Sequence, residues 1–314
     1  IIFFSTLLGV HLLSTIFNIN RYHLFASLIV LSSIVLEVFT PLVIVIYFLL
    51  SSYCLGSLAS FLIKINDISI IIKSLIGMII YGSLISISVH FPINTSEVYL
   101  IILSIPIIIY RKELINLFAN IIVCSNNASF KTPASISFID SLIISVGFLY
   151  FLISLMPELG HDALATHLFI PAHIQEYLRW DFNVNYYVWA VGPKLGDWII
   201  TIPYLLGGET AVRLFNVSTI LIICLLLVEL TKYFQADNMV SRCAVLLFIT
   251  SPFTYGLGST IFNEPLWCLF LISFFYYFTK IIHDNEINIQ NFSIAGVMLG
   301  ASIAVKAVTL ILLP

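Results

Sequence analysis

Long, unbroken runs of apolar side chains dominate this sequence and limit what it can fold into. A helix needs about 17–25 apolar residues to cross a bilayer. About ten such stretches occur, at 1–18, 22–39, 41–63, 68–90, 96–110, 139–156, 210–232, 241–258, 265–281 and 292–313. The runs are continuous rather than alternating, and far longer than a barrel strand of about ten residues, so helices are predicted. In lipid each backbone amide must find its partner inside its own segment, which a helix allows. Pro41, Pro106, Pro252 and Pro265 fall at or near predicted helix ends or kinks.

Composition closes the other routes. Of 314 residues, 60% are apolar and 9% charged, against roughly 45–50% and about 25% in soluble domains. The mean hydropathy is +1.08. No soluble fold of this size hides that much apolar surface, so soluble enzymes and disordered proteins are excluded. A net charge of -3 provides no basic field for nucleic acid. The five cysteines, Cys54, Cys124, Cys224, Cys243 and Cys268, lie in or beside apolar runs without metal-ligand spacing, and read as small buried hydrophobes. The chain opens on Ile1 and stops at Pro314 at the edge of an apolar run, which reads as a fragment of a longer protein with its C-terminal part missing.

The basic residues set an orientation. With ten alternating helices, Arg21, Lys64, Lys73, Arg111, Lys112, Lys131, Lys232, Arg242 and Lys280 all fall on one side, nine of the thirteen Lys and Arg. That side is predicted to be cytoplasmic. Residues 1–138 are then N-terminal helices closed by a polar cytoplasmic loop, 111–138, and 139–314 form the rest of a single transmembrane domain. An outer loop, about 157–208, is the least lipid-like part. It holds Glu158, His161, Asp162, His167, His173, Glu176, Arg179, Asp181, Lys194 and Asp197, with Trp180, Trp189 and Trp198. Helical segments over 162–179 and from near Pro193 to Leu206 are predicted to lie at the membrane interface.

The same topology brings three distant charges to one face: Asp162 in the outer loop, Glu264 in the short loop between the eighth and ninth helices, and Lys306 towards the outer end of the tenth. Charges at that depth are costly unless they line a polar cavity. Two carboxylates and a cation suit chemistry on a lipid-phosphate substrate: a carboxylate takes a hydroxyl proton or orients an acceptor, and the cation holds a departing phosphate.

The stretch Pro157-Glu158-Leu159-Gly160-His161-Asp162-Ala163-Leu164-Ala165-Thr166-His167-Leu168 resembles the E-x-G-x-D-A-L-x-Y-H-L loop of GT-C membrane glycosyltransferases. The resemblance is to the bacterial glycosyltransferase family 39-like branch, related to protein mannosyltransferases and aminoarabinose transferases. Pro203 to Asn216 resembles that branch's P-x-x-x-G-G-x-x-A-x-R-L-x-N. Asn263-Glu264-Pro265-Leu266 sits at its second outer acidic position, and Gly300 to Leu310 looks like its G-x-x-x-x-x-K-x-x-x-L, giving Lys306. Two departures stand out: Thr166 replaces the family's Tyr, and His161-Asp162 replaces the Asp-Glu pair of protein mannosyltransferases. The resemblance covers about 157–314. It implies a polyprenyl-phosphate-linked sugar donor, a lipid, glycan or protein acceptor, inversion at the anomeric carbon, and an active site on the extracytoplasmic side of the bacterial inner (plasma) membrane. Asp162 would be the base, Glu264 the second catalytic carboxylate, and Lys306, His167, Arg213, Glu158 and His161 substrate-binding. No cofactor is specified, though a divalent cation such as Mg or Mn would fit the chemistry.

Each of these residues has a plainer role open to it. Asp162 can cap a helix, Glu264 can sit at a helix N-terminus for its dipole, and Lys306 can snorkel. His167 can simply face the interface, Arg213 can anchor topology, and Glu158 can be a solvated loop residue. His161, Asp162, His167 and His173 lack a specific metal spacing. Rival functions are a lipid or glycolipid flippase or transporter, which needs charge near the midplane and broken helices, a polysaccharide polymerase or ligase, and a noncatalytic assembly subunit.

Overall fold

Helix ends are written into the sequence by small polar residues. Asn20, Ser69, Thr95, Asp237 and Asn288 each accept a hydrogen bond from a backbone amide of the following first turn. In the computed structural model, which describes residues 2–16, 20–65, 68–127, 134–185, 187, 191–283 and 288–312, every regular element is helical. The helices are α1 (Ile2–Ile16), α2 (Arg21–Val35), α3 (Phe39–Leu62), α4 (Ile70–Ser88), α5 (Ser96–Ile109), α6 (Arg111–Asn127), α7 (Ala134–Ser154), α8 (Phe169–Tyr177), α9 (Leu195–Tyr233), α10 (Asn238–Thr250), α11 (Pro252–Gly258), α12 (Glu264–His283) and α13 (Ile289–Val305). Trp189 and Lys131 lie outside the described residues.

All ten expected runs have a helical counterpart. The helices α3, α4, α9 and α12 are long and apolar enough to span a membrane, and α10 with α11 makes a fifth span bent by 64°. Five shorter apolar helices fall in α1, α2, α5, α7 and α13. The protein is thus an all-α, polytopic membrane protein. The bend arises at Ser251, which is extended (φ -60°, ψ 128°) ahead of Pro252. Proline has no amide hydrogen to continue the helix and disfavours helical geometry in the residue before it.

Helices α3 and α4 pack antiparallel at backbone distance. A Cβ on Gly56 would stand 1.7 Å from the Lys73 carbonyl oxygen, and one on Gly77 would stand 1.9 Å from that of Ser52. Small residues at the contact are the means by which helices associate where no hydrophobic drive exists between them. Against this pair and α12 packs α9, whose core side chains Ile199, Ile202, Val212, Phe215, Ile223 and Leu226 are all fully buried.

Two other expectations need correction, whereas the helix predicted over 193–206 is present. It is the first part of α9, packed against α4 and buried from Leu195 to Pro203. Gly208, with φ 68° and ψ -164°, divides α9 into two helical parts where the sequence pointed to separate helices, a backbone conformation that glycine adopts without a Cβ clash. The loop predicted over 111–138 carries α6 and the start of α7. The last predicted helix, 292–313, ends at Val305. Lys306 is extended (φ -143°, ψ 119°), and a 3₁₀ turn, Ala307–Leu312, follows.

Alternation of the spans places Arg21, Lys64, Lys73, Arg111, Lys112, Lys232, Arg242 and Lys280 at one end. The segments after α7, before α9, before α12 and after α13 meet at the other end.

Candidate active site

The site end is built on two internal clamps. Glu158 follows α7 and is buried. Its Oε1 accepts the amides of Leu159 (2.9 Å) and Gly160 (2.8 Å), and its Oε2 accepts the amide of Ile261 (2.7 Å). Arg213, also buried, lies 3.7 Å from that Oε2 and donates from Nη2 to the carbonyls of Ile153 (3.0 Å) and Ser259 (2.7 Å). Glu209 Oε1 accepts the Glu158 amide at 2.5 Å and lies 4.0 Å from Arg213. A buried charge is tolerable only when paired and hydrogen-bonded in this way. Asn216 completes the arrangement, donating to the carbonyls of Thr260 (2.7 Å) and Phe262 (3.0 Å). Glu158 and Arg213, expected at the substrate, hold residues 153–160 and 259–262 against α9, and Arg213 Nε remains buried without a hydrogen-bond partner.

These clamps present a polar hub centred on Asp197, in the first turn of α9 and 1% exposed. Its Oδ1 lies 2.7 Å from His167 Nδ1 and accepts Asn263 Nδ2 at 2.8 Å, while Lys194 Nζ stands 3.7 Å from Oδ2. Asn263 Nδ2 is also 3.1 Å from His167 Nδ1. Two donors on one carboxylate oxygen give a consistent network, in which His167 donates from Nδ1 and keeps Nε2 for another partner. Close approach is possible because residue 196 is glycine; a Cβ there would lie 2.6 Å from Asn263 Cγ. Burial pushes the Lys194 ammonium below its ordinary pKa, and the charge of Asp197 opposes that shift.

Asp162 stands beside this hub on the solvent side. It is exposed, and its Oδ1 accepts Thr166 Oγ1 at 3.0 Å. It precedes a single π-helical turn, Ala163–His167, yet its side chain caps no amide, so the capping role considered for it is not used. Such wide turns recur at functional sites. The Tyr187 hydroxyl donates to the Thr166 carbonyl at 3.2 Å. Its pKa is pushed up to about 12, chiefly by burial and then by the charges of Asp197 and Asp162, so both carboxylates act on one phenol.

On the far side of Asn263, the next residue, Glu264, begins α12 and forms an ion pair with Lys306. Trp267 Nε1 donates to Thr309 Oγ1 at 2.7 Å, holding the turn after Lys306 against α12. Glu264 Oε2 and Asn263 Oδ1 are buried acceptors without a hydrogen-bond partner, and such groups call for a ligand or water. An apolar crevice of 140 Å³ opens beside Glu264, walled by Ile223, Phe248, Phe253, Leu257, Trp267 and Cys268. A roomier cavity of 420 Å³ lies at the opposite end and shares none of these residues.

Of the expected site residues, Glu264 and Lys306 are in contact, His167 joins the hub, Asp162 faces it through Thr166 and Tyr187, and His161 is exposed to solvent. Asp197, Lys194, Asn263 and Tyr187 were not singled out by sequence. The spacing Lys194-x-x-Asp197 at a helix start was the one available signal. Among the described residues no group of three or more His, Cys, Asp or Glu side chains is placed to hold a metal.

Helical spans with a carboxylate-rich polar site at one end define a polytopic membrane protein with an enzyme-like centre. Residues 191–314 match the family described as dolichyl-phosphate-mannose-protein mannosyltransferase. The resemblance to GT-C glycosyltransferases read from the sequence therefore holds over the stretch carrying Lys194, Asp197, Arg213, Asn263, Glu264 and Lys306, and it supports a membrane glycosyltransferase. Asp162 lies outside the matched stretch. No curated protein and no solved structure matches the chain.

Proposed function

We propose that this protein transfers a sugar from a polyprenyl-phosphate-linked donor to the hydroxyl of a lipid, glycan or protein acceptor, on the extracytoplasmic face of the bacterial inner membrane. Asp162 takes the acceptor's hydroxyl proton. The acceptor oxygen bonds to the anomeric carbon as the bond from that carbon to the phosphate oxygen breaks, with inversion, and polyprenyl phosphate leaves. Lys306 and Lys194 offset the charge that develops on the phosphate. His167 Nε2 is free to hold acceptor or phosphate, and Glu264 orients the acceptor through its unpartnered oxygen. The apolar crevice beside Glu264 receives the first part of the isoprenoid tail.

One observation carries this reading: four segments far apart in sequence bring Asp162, Asp197, Asn263, Glu264 and Lys306 to one end of the bundle. The opposite end carries the basic residues, which favours a cytoplasmic placement for that end. Charge gathered at the helix ends rather than mid-span weighs against the flippase or transporter reading.

The test is sugar transfer in membranes containing Asp162→Asn at normal abundance, with a polyprenyl-phosphate sugar as donor. Loss of a general base costs about 10²–10⁴-fold in rate. Asp162 is exposed and holds only Thr166, so folding stays intact. Turnover near that of the parent protein removes Asp162 from the mechanism.

A further inference from the structure

The cavity of 420 Å³ at the end opposite the site is not used by the proposed reaction. Its volume is within the range of about 300–1,000 Å³ found for small-molecule pockets. Phe25 of α2, Ile144 and Gly147 of α7, Leu221 and Leu225 of α9 and Val245 of α10 form its apolar walls. Leu225 is 58% exposed, so the cavity opens sideways between α2 and α9. Its mouth is polar and carries Tyr22, Asp140, Lys232, Asn238 and Arg242.

The polar groups are fixed in place. Arg242 donates from Nε to the buried Asp140 at 2.6 Å and from Nη1 to the Asn238 carbonyl at 3.2 Å. Lys232 is exposed at the rim and makes no ion pair among the described residues. The charged side chains lining the cavity are Lys232, Arg242 and Asp140, which leaves one positive charge above an apolar slot. A chain of methylenes gains by entering such a slot only if its polar head remains at the mouth, and the charge there selects an anionic head.

We propose that this cavity is a binding site for an anionic phospholipid, with one acyl chain between α2, α7, α9 and α10 and the headgroup phosphate at Lys232 and Arg242. It is separate from the site of sugar transfer and does not depend on that function. The lipid would seal α2 to the rest of the bundle, whose contact there runs through Phe25 over Gly147; a Cβ on Gly147 would lie 3.3 Å from the Phe25 ring.

Native mass spectrometry of the full chain in detergent, titrated with phosphatidylglycerol or phosphatidylcholine of the same acyl chains, tests this. Phosphatidylglycerol should be retained in preference. Lys232→Gln should weaken its retention about fivefold, the effect of one basic side chain near a charged lipid surface, and leave phosphatidylcholine unchanged. Lys232 is exposed, so this variant folds. Gly147→Leu, which fills the slot, should reduce retention of both lipids while Lys232→Gln spares the neutral one. Equal retention of the two lipids by the parent protein, or undiminished selectivity in Lys232→Gln, overturns the proposal. So does a slot that polyprenyl phosphate occupies and phosphatidylglycerol does not.

Discussion

Asp197→Ala removes the group on which the site end converges. The Asp197 side chain is 2% exposed and that of Lys194 10%, so solvent screening is weak. The substitution leaves Lys194 without its counter-charge and strips the acceptor from His167 and Asn263. Breaking a buried ion pair by removing one partner costs about 3–5 kcal/mol. At about 2–4 °C per kcal/mol, the unfolding midpoint should fall by roughly 6–20 °C. The assay is thermal unfolding of detergent-solubilised protein, followed by tryptophan fluorescence. Much of the cost is the stranded lysine, so adding Lys194→Met should recover part of the loss, with a coupling of about 1–3 kcal/mol. Asp197→Asn, which keeps an acceptor oxygen but no charge, should fall between. A midpoint for Asp197→Ala within about 2 °C of the parent, or a double variant whose losses simply add, refutes the hub.

Tyr187 gives a pH signature. Its pKa is raised from 10.0 to about 12, so the folded state holds its proton more tightly than the unfolded chain. The resulting stability is complete below pH 10.0 and is lost as pH rises through about 12. Tyr187→Phe should abolish that alkaline loss, and Asp162→Asn should bring the tyrosinate absorbance step to lower pH; an unmoved step would place Asp162 away from the phenol. Gly77→Ala puts a methyl 1.9 Å from the Ser52 carbonyl oxygen, and forced overpacking costs about 1–3 kcal/mol or more. Its thermal midpoint should fall clearly below that of Ser83→Ala on the exposed side of the same helix; equal midpoints would contradict the α3–α4 contact.

How much of this was legible in the sequence depended on range. Span length is a local property, so every apolar run became a helix, and the broken span was marked by Pro252. The convergence of Glu264 and Lys306 followed from alternation of the spans alone. What escaped was set by tertiary contact. Asp197 looked like one more charge in a polar loop, and its burial comes from Gly196 meeting Asn263. The motif that carries Glu158 and Arg213 points to the site, but not to the backbone groups at Ile153, Ser259 and Ile261 that they also hold. No periodicity announces a carbonyl as the partner of an arginine. The Gly207-Gly208 pair was visible, and the positive φ at Gly208 breaks the helix there, between the segment predicted to end at Leu206 and the span predicted from 210.

The central claim is that one polar site gathers at the end of the bundle away from the basic residues, on the extracytoplasmic face. Single cysteines at 162, 306 and 238, in a background lacking the five native cysteines, can be exposed in intact cells to a thiol reagent that does not cross membranes. Asp162→Cys and Lys306→Cys should label from outside, and Asn238→Cys only after permeabilisation. Labelling of 162 and 306 from opposite sides, or of 238 alone from outside, contradicts the account.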